Sequence, residues 1–341
     1  MKKYFIITMC FAFVLMLAAC SKTSEIPGDN TPDKENEPIP VSQYYEIPEG
    51  VSPLTGLHYH GDGRAIIVQI ENTIEARPQS GIAHADLIYE MEVESTITRL
   101  TAFFLSEYPE KVGPVRSARK QQIHLWSEWD YLFSYFGGSE KEGQNIYEIK
   151  EELEINSPDN DGMGSGKEFS RSKDRKSPHN SYLNLSNLID NTYDYKPERR
   201  TIYYDENVEI DGETAEKISL MYRADNKIEY RYNSETNEYE RYINGEQMID
   251  IENNQQVAVK NIVVQYANHY KVTDTVYTNI DLIGSGTAEY FTDGIKRTGR
   301  WEREDIDSPT MYFDENGEKI PFKPGKTFIQ IVRNDTKVIT E

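Results

Sequence analysis

Three glutamates on one strand-like run, and three arginines downstream of them, are the residues best placed for chemistry. In Leu87–Glu94 (L-I-Y-E-M-E-V-E) side chains alternate, so Leu87, Tyr89, Met91 and Val93 point to one face and Ile88, Glu90, Glu92 and Glu94 to the other. Successive carboxylates on that face stand ~7 Å apart, two strand rises of ~3.3 Å each. That falls within the roughly 6.5–9.5 Å spacing of inverting glycosidases, which makes Glu90, Glu92 and Glu94 candidate catalytic groups. A charged strand face gives the same pattern without catalysis. Arg99 sits in the following run, Ile97–Leu105, and the stretch G-P-V-R-S-A-R delivers Arg116 and Arg119. Apolar residues at 118, 125, 126 and 129 predict a helix over Val115–Trp129, with Pro114 at its start and both arginines on one side of its N-terminus. Free backbone N–H groups and two guanidinium forks would then form an anion site. The competing arrangement is internal neutralisation, with Arg99, Arg116 and Arg119 paired to the three glutamates, because charges near a core are normally kept only when paired. The two are compatible if some donors stay free.

Further candidates flank this cluster. Arg77 stands before Pro78 in the loop Asn72–Gly81. Phe169–Tyr182 carries Arg171, Lys173, Arg175 and Lys176, then Pro178, His179 and Asn180. His179 could act as an acid or base and Asn180 could orient a ligand; the alternative is that both cap a turn and bond to backbone. His84, in a loop, and His124, on a helix, are weaker candidates. Ser157–Glu168 places Asp159, Asp161, Gly162 and Glu168 at the third, fifth, sixth and twelfth places of an EF-hand loop. Ser157 stands where that loop needs Asp, so the stretch reads first as a flexible polar loop and only second as a calcium site. Its glycines do not have P-loop spacing.

The elements that must hold these residues are mainly strands. Arg64–Glu71 (R-A-I-I-V-Q-I-E) and Ile97–Leu105 read as buried strands, and Tyr131–Phe136 is strand-like. A second helix is expected over Ile146–Leu153. From about Arg199 the pattern turns to short strands. Ile228–Tyr232 and Tyr239–Ile243 form a hairpin candidate, and Asn244-Gly245 marks the next turn. Val257–Tyr266, Thr287–Phe291, Arg297–Trp301 and Thr327–Val332 supply more strands, whereas Ala215–Tyr222 is open between strand and short helix. The expected fold is α+β: an N-terminal mixed α/β domain with a buried sheet over residues 51–198, then a smaller β-rich domain over 199–341. The abundance of tyrosine fits half-buried strands better than glycan stacking.

The first fifty residues read as an address and a tether. Lys2 and Lys3 precede an apolar run from Tyr4 to Ala19, shorter than the ~20 residues of a membrane-spanning helix. Residues 1–20 end in Leu17-Ala18-Ala19-Cys20, which looks like a bacterial lipobox and implies lipid attachment at Cys20. Cys10 lies in the segment that would be removed, which leaves the body without disulfides or thiolate chemistry. Residues 21–50 are rich in Pro, Glu, Asp and Asn and are expected to be a disordered tether. The net charge of −21 argues against nucleic acid and against docking on anionic lipid. No cofactor is implied.

The combination R-P-Q-S-G-x-x-x-A-D-x-x-Y-E, then I-T-R, then G-P-V-R-S-A-R, resembles the YerB-type family of bacterial extracytoplasmic lipoproteins. R-K-S-P-H-N-S-Y at Arg175–Tyr182 resembles that family's Pro-His-Asn segment. The resemblance spans roughly residues 52 to 333 and implies two domains of unknown function on the outer face of the cytoplasmic membrane. One departure is Glu94-Ser95-Thr96, where the family pattern implies a glycine. The leading functional expectation is a non-catalytic module binding an anionic cell-envelope glycan, polymer or protein through Arg77, Arg99, Arg116, Arg119, His179 and Asn180. The alternatives are a cell-wall glycan hydrolase using Glu90, Glu92, Glu94 and His179, and a transporter-associated solute-binding lipoprotein.

Overall fold

Apolar alternation in three adjacent runs sets the frame of the molecule. The computed structural model describes residues 48–164, 166–191 and 202–341. The signal segment, Cys20, nearly all of the expected tether and the join at 198–199 lie outside them. β1 (Ile66–Glu71), β2 (Leu87–Glu94) and β3 (Ile97–Phe104) are buried almost end to end. β3 lies between the other two and antiparallel to both, which sets Glu71 opposite Arg99. β4 (Leu132–Tyr135) runs parallel to β1, and β5 (Asp159–Asp161) parallel to β4. On the far side of β2 the chain adds Thr327–Arg333 in parallel. Beyond it follow Asn261–Ala267, Gly284–Thr292, Ile295–Arg303 and Met311–Asp314, completing one eleven-stranded sheet with the short Glu213–Thr214. The sheet therefore continues across the expected join.

A second, six-stranded sheet covers one face of the first. Its central hairpin pairs Asn226–Asn233 with Glu238–Ile243, in the register Ile228 to Ile243 and Tyr232 to Tyr239. Ile228, Tyr230 and Tyr239 from this hairpin share a core with Ile66, Val68, Ile70, Ile88 and Phe328 of the large sheet. The opposite face carries α1 (Lys120–Trp129), whose Ile123, Trp126 and Trp129 pack on Ile67, Tyr89, Met91 and Phe103. The result is three layers, sheet on sheet on helix.

Two expectations are corrected here. Among the described residues the N-terminal half is mostly β and not clearly α/β: beyond α1 its α-helices are the seven-residue α2 (Ile146–Glu152) and Leu185–Asn191. The stretch open between strand and helix also resolves as a strand, Lys217–Arg223. The second correction concerns the arginines. The predicted helix begins five residues late, so Val115–Arg119 is extended and only Arg119 reaches the helix, as its N-cap. The cause is the large sheet itself. β1 and β4 pair only as far as Val68 and Ser134, then separate, and the R-S-A-R segment fills the gap. Arg116 N donates to Gln69 O at 2.8 Å on one side, while Phe136 N donates to Arg116 O and Ala118 N to Gly137 O, both at 3.0 Å, on the other. Backbone groups that lose a ladder partner must find another. Gly113, entering this segment ahead of a cis Pro114, has φ 144°, and a Cβ there would lie 2.9 Å from Ser181 O.

The two sheets are also joined by a buried ion pair. Glu90 points from β2 toward the small sheet and is fully buried, and Arg241, also fully buried, meets its Oε2 from Nη2 at 2.5 Å. Asn72, Thr98 and Asn226 donate to Glu90 Oε1 at 2.9, 2.7 and 3.0 Å. Removing one member of such a pair strands the other charge. Arg241→Met is therefore expected to cost about 3–5 kcal/mol of stability. The Glu90→Gln/Arg241→Met double variant should recover part of that loss, as read by urea unfolding.

Candidate functional site

The charged residues singled out in the sequence gather where β1 ends and β3 begins. Glu71 closes β1 and is 2% exposed. Its Oε1 lies 3.3 Å from Arg116 Nε and 2.9 Å from His179 Nδ1, and accepts from Thr73 Oγ1 at 3.2 Å. Its Oε2 is buried and has no hydrogen-bond partner among the described residues. Sequence reasoning missed this residue, because a lone carboxylate ending an apolar run looks like the edge of a strand. The only signal was its position at the point where the polar loop Asn72–Gly81 starts.

Arg99 and Arg119 are bound internally. Arg99 is 3% exposed, donates from Nη1 to Ser117 O at 2.5 Å and reaches Glu94 Oε1 at 3.3 Å from Nη2. Burial, reinforced by the neighbouring charge of Arg119, pushes its pKa down to about 9. Arg119 donates to Glu94 from both Nε and Nη2 and to Ala118 O from Nη1, and its guanidinium stacks over Tyr277. Burial works to raise the Glu94 carboxyl, but Arg99 and Arg119 outweigh it and hold it below the usual carboxylate range. Both arginines are thus paired internally with the one Glu94 carboxylate.

Arg116 is different. Its side chain is 25% exposed and its anchor is the Glu71 ion pair through Nε. Among the described residues its terminal nitrogens donate no hydrogen bond. His179, 24% exposed, is oriented by Glu71 through Nδ1, and its Nε2 likewise has no partner among the described residues. A free guanidinium fork beside a free ring nitrogen can hold a carboxylate or phosphate oxygen.

The remaining candidates fall elsewhere or are otherwise occupied. Glu92 is clamped by Arg333 from Nε and Nη2 at 3.0 and 2.5 Å, and Glu90 is consumed by the buried network. The expected row of three carboxylates on one strand face therefore does not form: the register of β2 shifts between Glu92 and Glu94, and each glutamate is held by arginine. Asn180 is 9% exposed, accepts from Arg171 at 2.8 Å and donates to Ser172 O at 3.1 Å, which is the turn-capping role. Arg77 joins the network around Glu90 through Asn72 and Asn226. His84 pairs with Glu107, and burial pushes His124 down to about 4. The acidic residues of the calcium candidate have protein partners: Asp159 and Asp161 lie on β5, paired with β4. Asp159 accepts from Tyr135 and Lys150, and Asp161 from Gly137 N, Met163 N and Tyr147. Glu168 lies beyond them, next to the strand Phe169–Arg171. No group of three or more metal-type ligands occurs among the described residues.

Fold and cluster together define a three-layer, mostly β protein built on one long mixed sheet, with an arginine–histidine–glutamate group where that sheet splits. Residues 54–198 match the N-terminal domain, and residues 218–329 the C-terminal domain, of the family described as proteins of unknown function DUF3048, and the chain belongs to that family. It is 29% identical over 345 residues to the presumed lipoprotein YerB of Bacillus subtilis (strain 168), covering 97% of this chain and 96% of that protein. The crystal structure of YerB from Bacillus subtilis superposes with a TM-score of 0.74, covering 85% of this chain and 99% of the crystallised one.

The depressed Glu94 carboxyl makes a pH prediction. A folded-state pKa below the unfolded value contributes stability above the unfolded value, near 4.5, which is lost as pH falls through the folded value. Glu94→Gln should melt at a lower temperature than the unaltered protein at pH 7. The gap between the two should narrow steadily in melts taken below pH 4.5.

Proposed function

We propose that this protein is a lipid-anchored, extracytoplasmic lipoprotein whose body binds an anionic cell-envelope ligand at Arg116 and His179. The observation that carries the reading is the Arg116 guanidinium, anchored at one nitrogen and open at the others, in a protein whose other clustered arginines are spoken for. The lipobox-like Leu17–Cys20 and the name of the Bacillus relative support the anchor. The acidity of the chain repels nucleic acid and anionic lipid, so an anion bound here must be recognised by local geometry rather than by the overall field. A polymer with repeated phosphates or carboxylates suits two donors lying side by side on a shallow, partly exposed surface. The test is thermal melting of the full-length protein in detergent with polyglycerol phosphate or polygalacturonate. Polymer should raise the melting temperature, and added salt should shrink the rise. Arg116→Ala should lose the rise; an unchanged rise in that variant, still folded, would remove Arg116 from the site.

Glu71 supports a second reading. A histidine held through Nδ1 by a buried carboxylate presents Nε2 outward, the arrangement of an oriented general base. A hydrolase built this way would use Glu71 and His179 in place of the glutamates of β2. Incubation with cell-wall glycan should then release reducing ends, and His179→Asn should abolish the release. No release at high protein concentration would leave binding as the role of this pair.

A further inference from the structure

Glu90 is shared by two guanidiniums. Arg241 meets it directly, while Arg77 reaches it one amide away. Arg77 donates from Nε to Asn72 Oδ1 at 3.1 Å and from Nη2 to Asn226 Oδ1 at 2.8 Å. The amide nitrogens of Asn72 and Asn226 donate in turn to Glu90 Oε1. The group therefore holds two positive charges against one negative. Every hydrogen-bond acceptor of Arg77 is neutral, the two amides plus the backbone carbonyls of Asn72 and Asp225. Among the described residues no carboxylate forms an ion pair with it. Burial pushes its pKa down to about 10, so it stays charged at neutral pH. The carboxylates that favour its charge are Glu90 and Asp225, and it donates a hydrogen bond to neither of them.

Arg77 borders a cleft of about 410 Å³, within the roughly 300–1,000 Å³ of small-molecule sites. Ile74 and Ile97 give it apolar walls, and Arg223, Glu75 and Asp225 stand on it too. Arg223 lies 2.5 Å from Asp225 through Nε, and its terminal nitrogens donate to nothing among the described residues. The cleft thus pairs two guanidiniums with two carboxylates beside an apolar surface. A simple anion would gain from the first pair and be repelled by the second. A molecule carrying both charges would gain from each.

We propose that this cleft binds a small zwitterion, an amino acid or the end of a short peptide, with its carboxylate on Arg77 and Arg223, its ammonium at Glu75 and Asp225, and an apolar side chain against Ile74 and Ile97. This site is separate from Arg116 and His179 and does not depend on what they bind. The test is calorimetric titration of the full-length protein in detergent with alanine, alanyl-alanine, acetate, methylamine and inorganic phosphate. Alanine or alanyl-alanine should bind at least roughly tenfold more tightly than acetate or methylamine, and which of the two wins distinguishes a free amino acid from a peptide end. Arg223, 41% exposed, can be changed without disturbing the core. Arg223→Gln should weaken the zwitterion roughly tenfold at an unaltered melting temperature. Arg77→Lys should weaken it as well, since an ammonium cannot reproduce the fork. Acetate binding as well as alanine, phosphate binding more tightly than either, no heat from any zwitterion, or full affinity in Arg223→Gln would each overturn the assignment.

Discussion

A carboxylate with no access to water imposes the strongest constraint on this structure. Glu90 lies between two sheets, and a charge there is tolerable only if its surroundings supply what water would have supplied. They do so through Arg241, Asn72, Thr98 and Asn226, which come from β3, the loop after β1 and the small-sheet hairpin. Apolar packing between the sheets would permit many relative placements. The requirement that one carboxylate receive all these donors admits far fewer, so the polar group fixes the alignment of layers that the hydrophobic core merely brings together.

The second constraint is topological. β1 and β4 start out as partners and then part, and the backbone of 115–118 must complete both ladders. That requirement, not helix chemistry, decides where Arg116 points. The wedge turns it toward Glu71 and the surface, while Arg119, three residues on, turns back toward Glu94. Two arginines in one short motif thereby acquire different environments.

Much of the local structure was legible in the sequence. The alternation in Leu87–Glu92, the hairpin at Ile228–Ile243 and the strand Thr327–Val332 all follow from periodicity and turn residues, whereas the register shift between Glu92 and Glu94 does not. The pairing of charges was only half legible. Arg99 and Arg119 do neutralise Glu94, from nearby in the chain, but Glu90 and Glu92 draw Arg241 and Arg333 from the other half of the protein. Nothing in the spacing of either partner announces a contact across that distance. The misplaced helix start has a similar cause: apolar residues at 118 and 125 fit a helix, but a vacant sheet position outbid helical propensity over Val115–Arg119. Ser95 illustrates a smaller tertiary override. It adopts φ 54°, the backbone form that a glycine would take without strain, and the turn between β2 and β3 closes regardless.

The parallel pairing of β2 with Thr327–Arg333 has a consequence for how such a chain comes into being. The centre of the large sheet is completed by a strand that lies far along the chain from β2. Until those residues are available, β2 has a neighbour, β3, on one side only, and Glu92 lacks its cation. Contacts of such long sequence separation form late and slowly.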